Sequence, residues 1–420
     1  MKVLLVNTSE RIGGAAVACN RLMEALKSNG ISAKMLVRDK QTDNLSVSTL
    51  DGKWRQVWNF LWERFCIWTA NGMRNRKNLF FVDIANTGTD ITKLPEFKEA
   101  DIIHLHWVNQ GMLSLDIIGR ILKSGKPVVW TMHDMWPCTS ICHHARTCDK
   151  YRFECHHCQY LAGGGSDNDI SNKIFKKKKQ TYAAGHISFV TCSKWLRQLA
   201  ERSALLNGHD VTNIPNPINT NLFKPADKAE ARKRCGLPAE GKLILFGSVK
   251  ITDKRKGIDY MIESCNLLAK QHPELKEKWS VVVFGNQSQQ LASLLPFKVY
   301  PLDYVSDEKK IVDIYNAVDT YVTPSLEENL PNTIMEAMAC GVPCVGFKVG
   351  GIPEMIDHLH NGYVANYCDA QDFANGIHWV LESEGHEDLG EMARLKVESE
   401  YSESTIARKY LEIYNQRIKE

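Results

Sequence analysis

Short apolar runs alternate with helical patterns along nearly the whole chain, and that alternation most constrains its fold. Lys2–Val6, Ala33–Val37, Asp101–His106, Pro127–Thr131 and Ser188–Cys192 are such runs in the first half. Leu243–Gly247, Ser280–Phe284, Thr320–Thr323 and Pro343–Phe347 follow in the second. Parallel strands covered on both faces read as continuous apolar runs, and helices between them imply right-handed βαβ units. The two sets are separated by Asn213-Ile214-Pro215-Asn216-Pro217-Ile218-Asn219 and Phe223-Lys224-Pro225, then a charged helix to about Arg234. Breaker chemistry of this kind marks a boundary, placed near residue 220. The fold predicted is α/β: two doubly wound, Rossmann-like domains facing across a cleft, with a ligand beyond the carboxyl ends of the strands.

The 420 residues fit two or three domains at ~150 residues each. A balance of 52 Lys+Arg against 49 Asp+Glu gives +3, which supplies no charge argument for nucleic acid. No apolar run approaches the ~20 residues of a membrane span. The opening MKVLLVNTSERIGG reads as a first strand rather than a signal peptide, so a cytoplasmic protein is expected.

Of 13 cysteines, five crowd into residues 138–158. Cys142-x5-Cys148-x6-Cys155-x2-Cys158, with His143, His144, His156 and His157 interleaved, can close a tetrahedral structural zinc site and leaves Cys138 over. Two disulfides or four unliganded thiols are the alternatives. A catalytic zinc is disfavoured because four sulfur ligands leave no open position. The scattered cysteines read as small buried hydrophobes.

The loop Ser9–Ala16 follows a strand and opens a helix, and Gly13-Gly14 lets backbone approach a ligand; it is not GxGxxG. In the second half, Pro324-Ser325-Leu326-Glu327-Glu328-Asn329-Leu330-Pro331 leads into a helix through Glu336 that Gly341 stops. A helix N-terminus at a strand's carboxyl end suits a diphosphate, and carboxylates beside it suit sugar or ribose hydroxyls.

Glu328–Glu336 resembles the E-x7-E motif of retaining glycosyltransferases of family 4, which have the GT-B fold. The resemblance runs through Gly13-Gly14, Asp101-Ile102-Ile103-His104, Thr131-Met132-His133-Asp134, Cys192-Ser193-Lys194-Trp195 and Asn213-Ile214-Pro215-Asn216. It continues through Lys256-Gly257, Tyr315-Asn316-Ala317-Val318-Asp319 and Gly350-Gly351-Ile352-Pro353-Glu354. The string His133-Asp134-Met135-Trp136-Pro137 with cysteines after it is similar to a colanic-acid-type subgroup of bacterial surface-polysaccharide enzymes.

The resemblance implies an acceptor-side domain over 1–220 with a Cys-rich insertion at 138–158, a donor domain over 221–403, and a last helix, 404–420, crossing back to the first domain. It implies a nucleotide-diphosphate sugar donor, a glycan or lipid-linked glycan acceptor, and no catalytic divalent metal. Glu328 would contact the donor sugar and Glu336 the ribose. Asn329 and Leu330 would offer amides, Lys256 would neutralise the diphosphate, Gly14 beside Gly13 would bring a further amide, and His133 would bond the transferred sugar. Where the family has Gly-Arg-Leu, this chain has Gly247-Ser248-Val249; either Arg255, Lys254 or Lys250 replaces the arginine, or these cations form a loop that only solvates the surface. Asp134 is expected to orient His133, whose other reading is a satisfied buried histidine. His104 and His106 suit either packing or acceptor contact.

Trp54, Trp58, Leu61, Trp62, Phe65 and Trp68 share one helical face, which reads either as core or as a face meeting membrane or lipid-linked acceptor beside the basic tail Arg74-Asn75-Arg76-Lys77. The latter would make the protein peripheral at the inner face of a membrane. The Lys176–Lys179 run reads as a solvated helix face or as a patch facing membrane or phosphate. Two rivals to sugar transfer share these features: a nucleotide-sugar 2-epimerase, and a zinc-stabilised binding module without catalysis.

Overall fold

The apolar runs form the inner strands of two parallel sheets. A computed structural model describes residues 1–73, 78–250 and 253–419. The chain divides into one unit of Met1–Pro217 with Ile406–Glu420 and a second of Ile218–Thr405. Both are of the Rossmann-like α/β kind.

The first unit holds β1 (Lys2–Ser9), β2 (Ser32–Asp39), β3 (Val47–Thr49), β4 (Ile102–Leu105), β5 (Val128–Met132), β6 (Ile187–Thr191) and β7 (Asp210–Asn213). Their order is β3-β2-β1-β4-β5-β6-β7. The second holds β8 (Lys242–Lys250), β9 (Trp279–Asn286), β10 (Lys298–Leu302), β11 (Thr320–Thr323), β12 (Cys344–Phe347) and β13 (Gly362–Ala365), in the order β10-β9-β8-β11-β12-β13. β3, β7, β10 and β13, which the run-finding misses, are the four outermost strands. Paired on one side only, β3 and β7 carry polar residues and β10 carries Pro301.

The helix α1 (Gly14–Ser28) starts at Gly13, whose φ of 94° glycine adopts without strain. It buries Cys19, Leu22, Met23 and Leu26 against Val3, Leu5, Val129 and Val190. Ile406, Ala407, Tyr410 and Tyr414 of the last helix, Glu403–Lys419, join that same core. Among the described residues, no helix is long and apolar enough to cross a membrane.

Two sequence readings change. In α2 (Lys53–Ala70) the polar side is buried and the aromatic side faces out, so the stripe is not core. Glu63 accepts hydrogen bonds from the amides of Ile84 (3.0 Å) and Ala85 (2.7 Å), and Arg64 pairs with Glu63 and Asp83. Gln56 donates to Thr89, and Asn59 accepts from Thr87. These bonds fix the rotation of the helix. The tail Arg74–Lys77 lies outside the described residues.

The lysine run is not wholly solvated either. Lys178 is fully buried: its ammonium donates to the carbonyls of Trp136 (2.6 Å) and Thr139 (3.0 Å), lying 3.3 Å from the centre of the Trp136 ring. Burial pushes its pKa down to about 7 against the opposing pull of Cys138 and Cys142.

Candidate functional site

In the second unit, three loops at the carboxyl ends of β8, β11 and β12 converge on Glu328. The Thr323 and Ser325 hydroxyls lie 3.0 Å apart, and Ser325 donates to Glu328 Oε1 at 3.1 Å. Lys256 makes an ion pair with that same oxygen. The lysine arrives on a short turn, Lys254–Lys256, capped by Asp253, whose carboxylate accepts from the Arg255 amide at 3.0 Å. Gly257 closes this turn at φ 71°, and a Cβ there would run into the Pro324 carbonyl. The Leu326 amide donates to the Arg255 carbonyl at 2.7 Å, stitching the two loops together.

The third loop is equally constrained. Gly350 has φ 57°, and a Cβ on it would strike the Glu328 carbonyl. The Gly351 amide donates to the Asn329 carbonyl at 2.7 Å. Glycines in Lys256-Gly257 and Gly350-Gly351 thus let two backbones approach the Glu328 loop. Leu330 is buried behind it, and Asn329 is half-buried.

Glu336 lies inside the helix Asn332–Ala339, buried, accepting a hydrogen bond from the Tyr315 phenol at 3.0 Å. Tyr315 is fully buried, and burial raises its pKa well above the usual tyrosine range, so it stays a donor. Sequence alone assigns no role to Tyr315 or Ser325, although Tyr315 lies inside a string that carries the family resemblance and Ser325 in the loop that leads to Glu328. Arg255 is committed to Asp253 at 2.7 Å, a hydrogen bond that raises the arginine pKa further. Ser248 is buried, and the side chain of Lys250 lies outside the described residues.

In the first unit, His133 follows β5. Its Nε2 lies 3.0 Å from His106 Nδ1, and its Nδ1 lies 3.5 Å from the Cys192 thiol. Burial pushes the His133 pKa down to about 4 despite the adjacent Asp134 charge, so the ring is neutral at pH 7. Asp134 does not orient it. That carboxylate instead binds His143 Nδ1 (2.7 Å) and the Trp107 indole (2.8 Å). Asp83 takes the other His143 nitrogen at 2.6 Å, and the two carboxylates outweigh burial to raise its pKa to about 10. His104 packs: it meets the Tyr414 phenol at 2.6 Å and the Thr131 hydroxyl at 2.7 Å. Gly13 and Gly14 lie at the start of α1, as the strand–loop–helix pattern requires.

A cavity of about 730 Å³ opens at the end of β2, lined by Arg38, Lys40, Lys53, Gln56, Phe60 and Gln110 among others. No sequence motif marks it. Its walls come from β2, α2 and the loop after β4.

Cys142, Cys148, Cys155 and Cys158 are all free thiols. Cys142 bridges to Val82, while Asp169 caps the following helix and accepts from the Cys158 amide at 3.0 Å. Among the described residues, the potential metal ligands within 4.8 Å of one another in a group of three are His156, His157 and Asp167. The four sulfurs are soft donors of the kind zinc takes, but closing them round one ion requires the loop to draw in.

The segment that builds the Glu328 site is also the one that comparison recognises. Residues 227–396 match the model of the family described as glycosyl transferases, group 1. The chain is 26% identical over 219 residues to a D-inositol 3-phosphate glycosyltransferase of Thermobispora bispora, covering 50% of this chain and 51% of that one. It is 27% identical over 209 residues to an N-acetyl-alpha-D-glucosaminyl L-malate synthase of Bacillus anthracis, covering 49% and 53%. The chain spans about half the length of these curated relatives. Two solved structures are similar in fold along 99% of this chain. A sucrose-phosphate synthase from Thermosynechococcus elongatus has TM-score 0.64 at 19% identity and is covered over 98% of its length. Anabaena HepE in complex with UDP has TM-score 0.63 at 16% identity and is covered over 100%. The fold is therefore α/β of the GT-B type, as in these structures.

Proposed function

We propose that this protein is a retaining glycosyltransferase that moves a sugar from a nucleotide diphosphate to a glycan. The Lys256–Glu328 ion pair carries this reading, because three loops hold it at the carboxyl edge of a Rossmann-like sheet. A diphosphate leaving group gains negative charge as the sugar gains oxocarbenium character. A preorganised cation aimed at that charge lowers the barrier most. Lys256 supplies it by turning from Glu328 to the phosphates, which frees Glu328 to accept hydrogen bonds from sugar hydroxyls. Glu336, steadied by Tyr315, serves the ribose, and the amides near Asn329 and Leu330 serve the phosphate end. Gly14 and His133 keep the roles that the family resemblance implies; the neutral His133 ring suits a hydrogen bond to a sugar. The acceptor in this reading is a lipid-linked glycan of a bacterial surface polysaccharide.

Incubation with a panel of nucleotide sugars, with and without glycan acceptors, tests the reaction. Nucleotide release that depends on acceptor is expected; an epimerised free nucleotide sugar, or binding with no turnover, overturns it. Lys256→Ala should weaken nucleotide-diphosphate binding by about 1.5–3 kcal/mol, the worth of a charge-assisted hydrogen bond. Calorimetry with the free nucleotide diphosphate reads that loss, and unchanged affinity removes Lys256 from the site.

We also propose that Cys142, Cys148, Cys155 and Cys158 hold one structural zinc. The support is the donor chemistry and the length of loop that such an ion would stiffen. Protein purified without added metal should contain about one zinc per chain, as one four-ligand site requires. Cys155→Ser should lower both that content and the thermal midpoint. Four alkylatable thiols and no metal would reject the site.

A further inference from the structure

α2 is amphipathic in the reverse sense to a core helix. Trp54 is 87% exposed, Trp58 63%, Leu61 54% and Phe65 48%, and Trp62 lies beside them at 41%. Consecutive rings form one strip: Trp58 and Trp62 stack at 6.0 Å, Trp62 and Phe65 lie 5.8 Å apart, and Phe65 and Trp68 6.2 Å. Phe80, also exposed, stacks on Phe60 of the same helix at 6.5 Å. Contiguous surface of this kind marks an interaction site rather than ordinary scatter.

The sequence of this segment is rich in cations. From Lys53 to Phe80 the sequence carries Lys53, Arg55, Arg64, Arg74, Arg76 and Lys77 against one acid, Glu63. Glu63 is buried and paired with Arg64, while Lys53 and Arg55 are exposed. Lys40 and Lys53 line the adjoining cavity with Val57 and Phe60 of α2, and Arg38 there is paired with Asp39 at 2.7 Å. Tryptophans flanked by cations suit the headgroup boundary of a bilayer.

We propose that α2 lies in the surface of an anionic phospholipid bilayer, with Trp54, Trp58, Leu61, Trp62 and Phe65 at the acyl boundary and Lys53 and Arg55 at the phosphates. The inward hydrogen bonds of Gln56, Asn59 and Glu63 hold the aromatic face outward before any lipid is met, so docking needs no refolding of the helix. The cavity with Lys40 and Lys53 then opens beside the lipid headgroups, where a phosphate-linked acceptor would be presented. The docking stands on α2 alone; the presentation of an acceptor rests on the sugar-transfer reading.

The test is sedimentation of the full chain with vesicles of phosphatidylcholine alone or mixed with phosphatidylglycerol. Binding to the mixed vesicles, weakened by salt, is expected. Trp58→Ser combined with Trp62→Ser should lower partitioning by about 30-fold or more, from the apolar area withdrawn from lipid. The thermal midpoint should hold, since both rings are exposed. Quenching of wild-type tryptophan fluorescence by brominated lipid gives a readout independent of any variant. A chain that stays in the supernatant with both vesicle types and shows no quenching overturns the proposal. So does a double variant that sediments like wild type, or a wild-type dimer that the double variant dissolves. Vesicle binding without sugar transfer would leave the docking standing and reject only the function proposed above.

Discussion

Glu328→Gln is expected to lower kcat for sugar transfer by about two to three orders of magnitude, the usual cost of removing one preorganised polar contact to a reacting centre. The substitution keeps the volume of the side chain and an acceptor oxygen for Ser325, so the three-loop frame should stand. What it removes is the charge that Lys256 faces and the stronger acceptor offered to sugar hydroxyls. Affinity for the free nucleotide diphosphate should therefore stay level or rise slightly, since Lys256 no longer divides its charge between Glu328 and phosphate. Turnover close to wild type would remove Glu328 from the mechanism. A parallel loss of nucleotide affinity and thermal midpoint would show that it only holds the loops together.

The second large effect is on stability. Lys178→Ala should destabilise the first unit by about 3–5 kcal/mol, combining a cavity left by the aliphatic stem with unpaired carbonyls of Trp136 and Thr139. Lys178→Met refills most of the volume and restores no donor, so about 1–3 kcal/mol should remain, the cost of the carbonyls alone. Urea unfolding followed by tryptophan fluorescence separates the two variants. If both match wild type, the buried ammonium is not anchoring the segment after His133.

This lysine shows why local pattern failed where it did. Lys176, Lys177, Lys178 and Lys179 are alike in sequence, and only the helix rotation imposed by Ile174 and Phe175 in the core turns the third of them inward. The carbonyls that receive it belong to residues some 40 positions away. Asp134 failed as a partner of His133 for the same reason. Adjacent residues after a strand point apart, and Asp134 finds His143 and Trp107 across the loop.

The sequence by itself determined the inner strands of both sheets, because a strand covered on both faces must be apolar throughout. The resemblance picked out Lys256-Gly257 and Gly350-Gly351, and the structure supplies the reason: at a positive φ against a neighbouring backbone only glycine fits. The sequence placed Glu328 in the loop before a helix, and the resemblance put Lys256 in the same site. Only the tertiary structure decided that these two side chains meet, since 72 residues separate them and no local rule couples the loops. It also decided which face of α2 looks outward. Hydrophobic periodicity defines a stripe without saying what covers it. Here the buried bonds of Glu63, Asn59 and Gln56 to the segment 84–89 hold the polar side inward and leave the tryptophans outside.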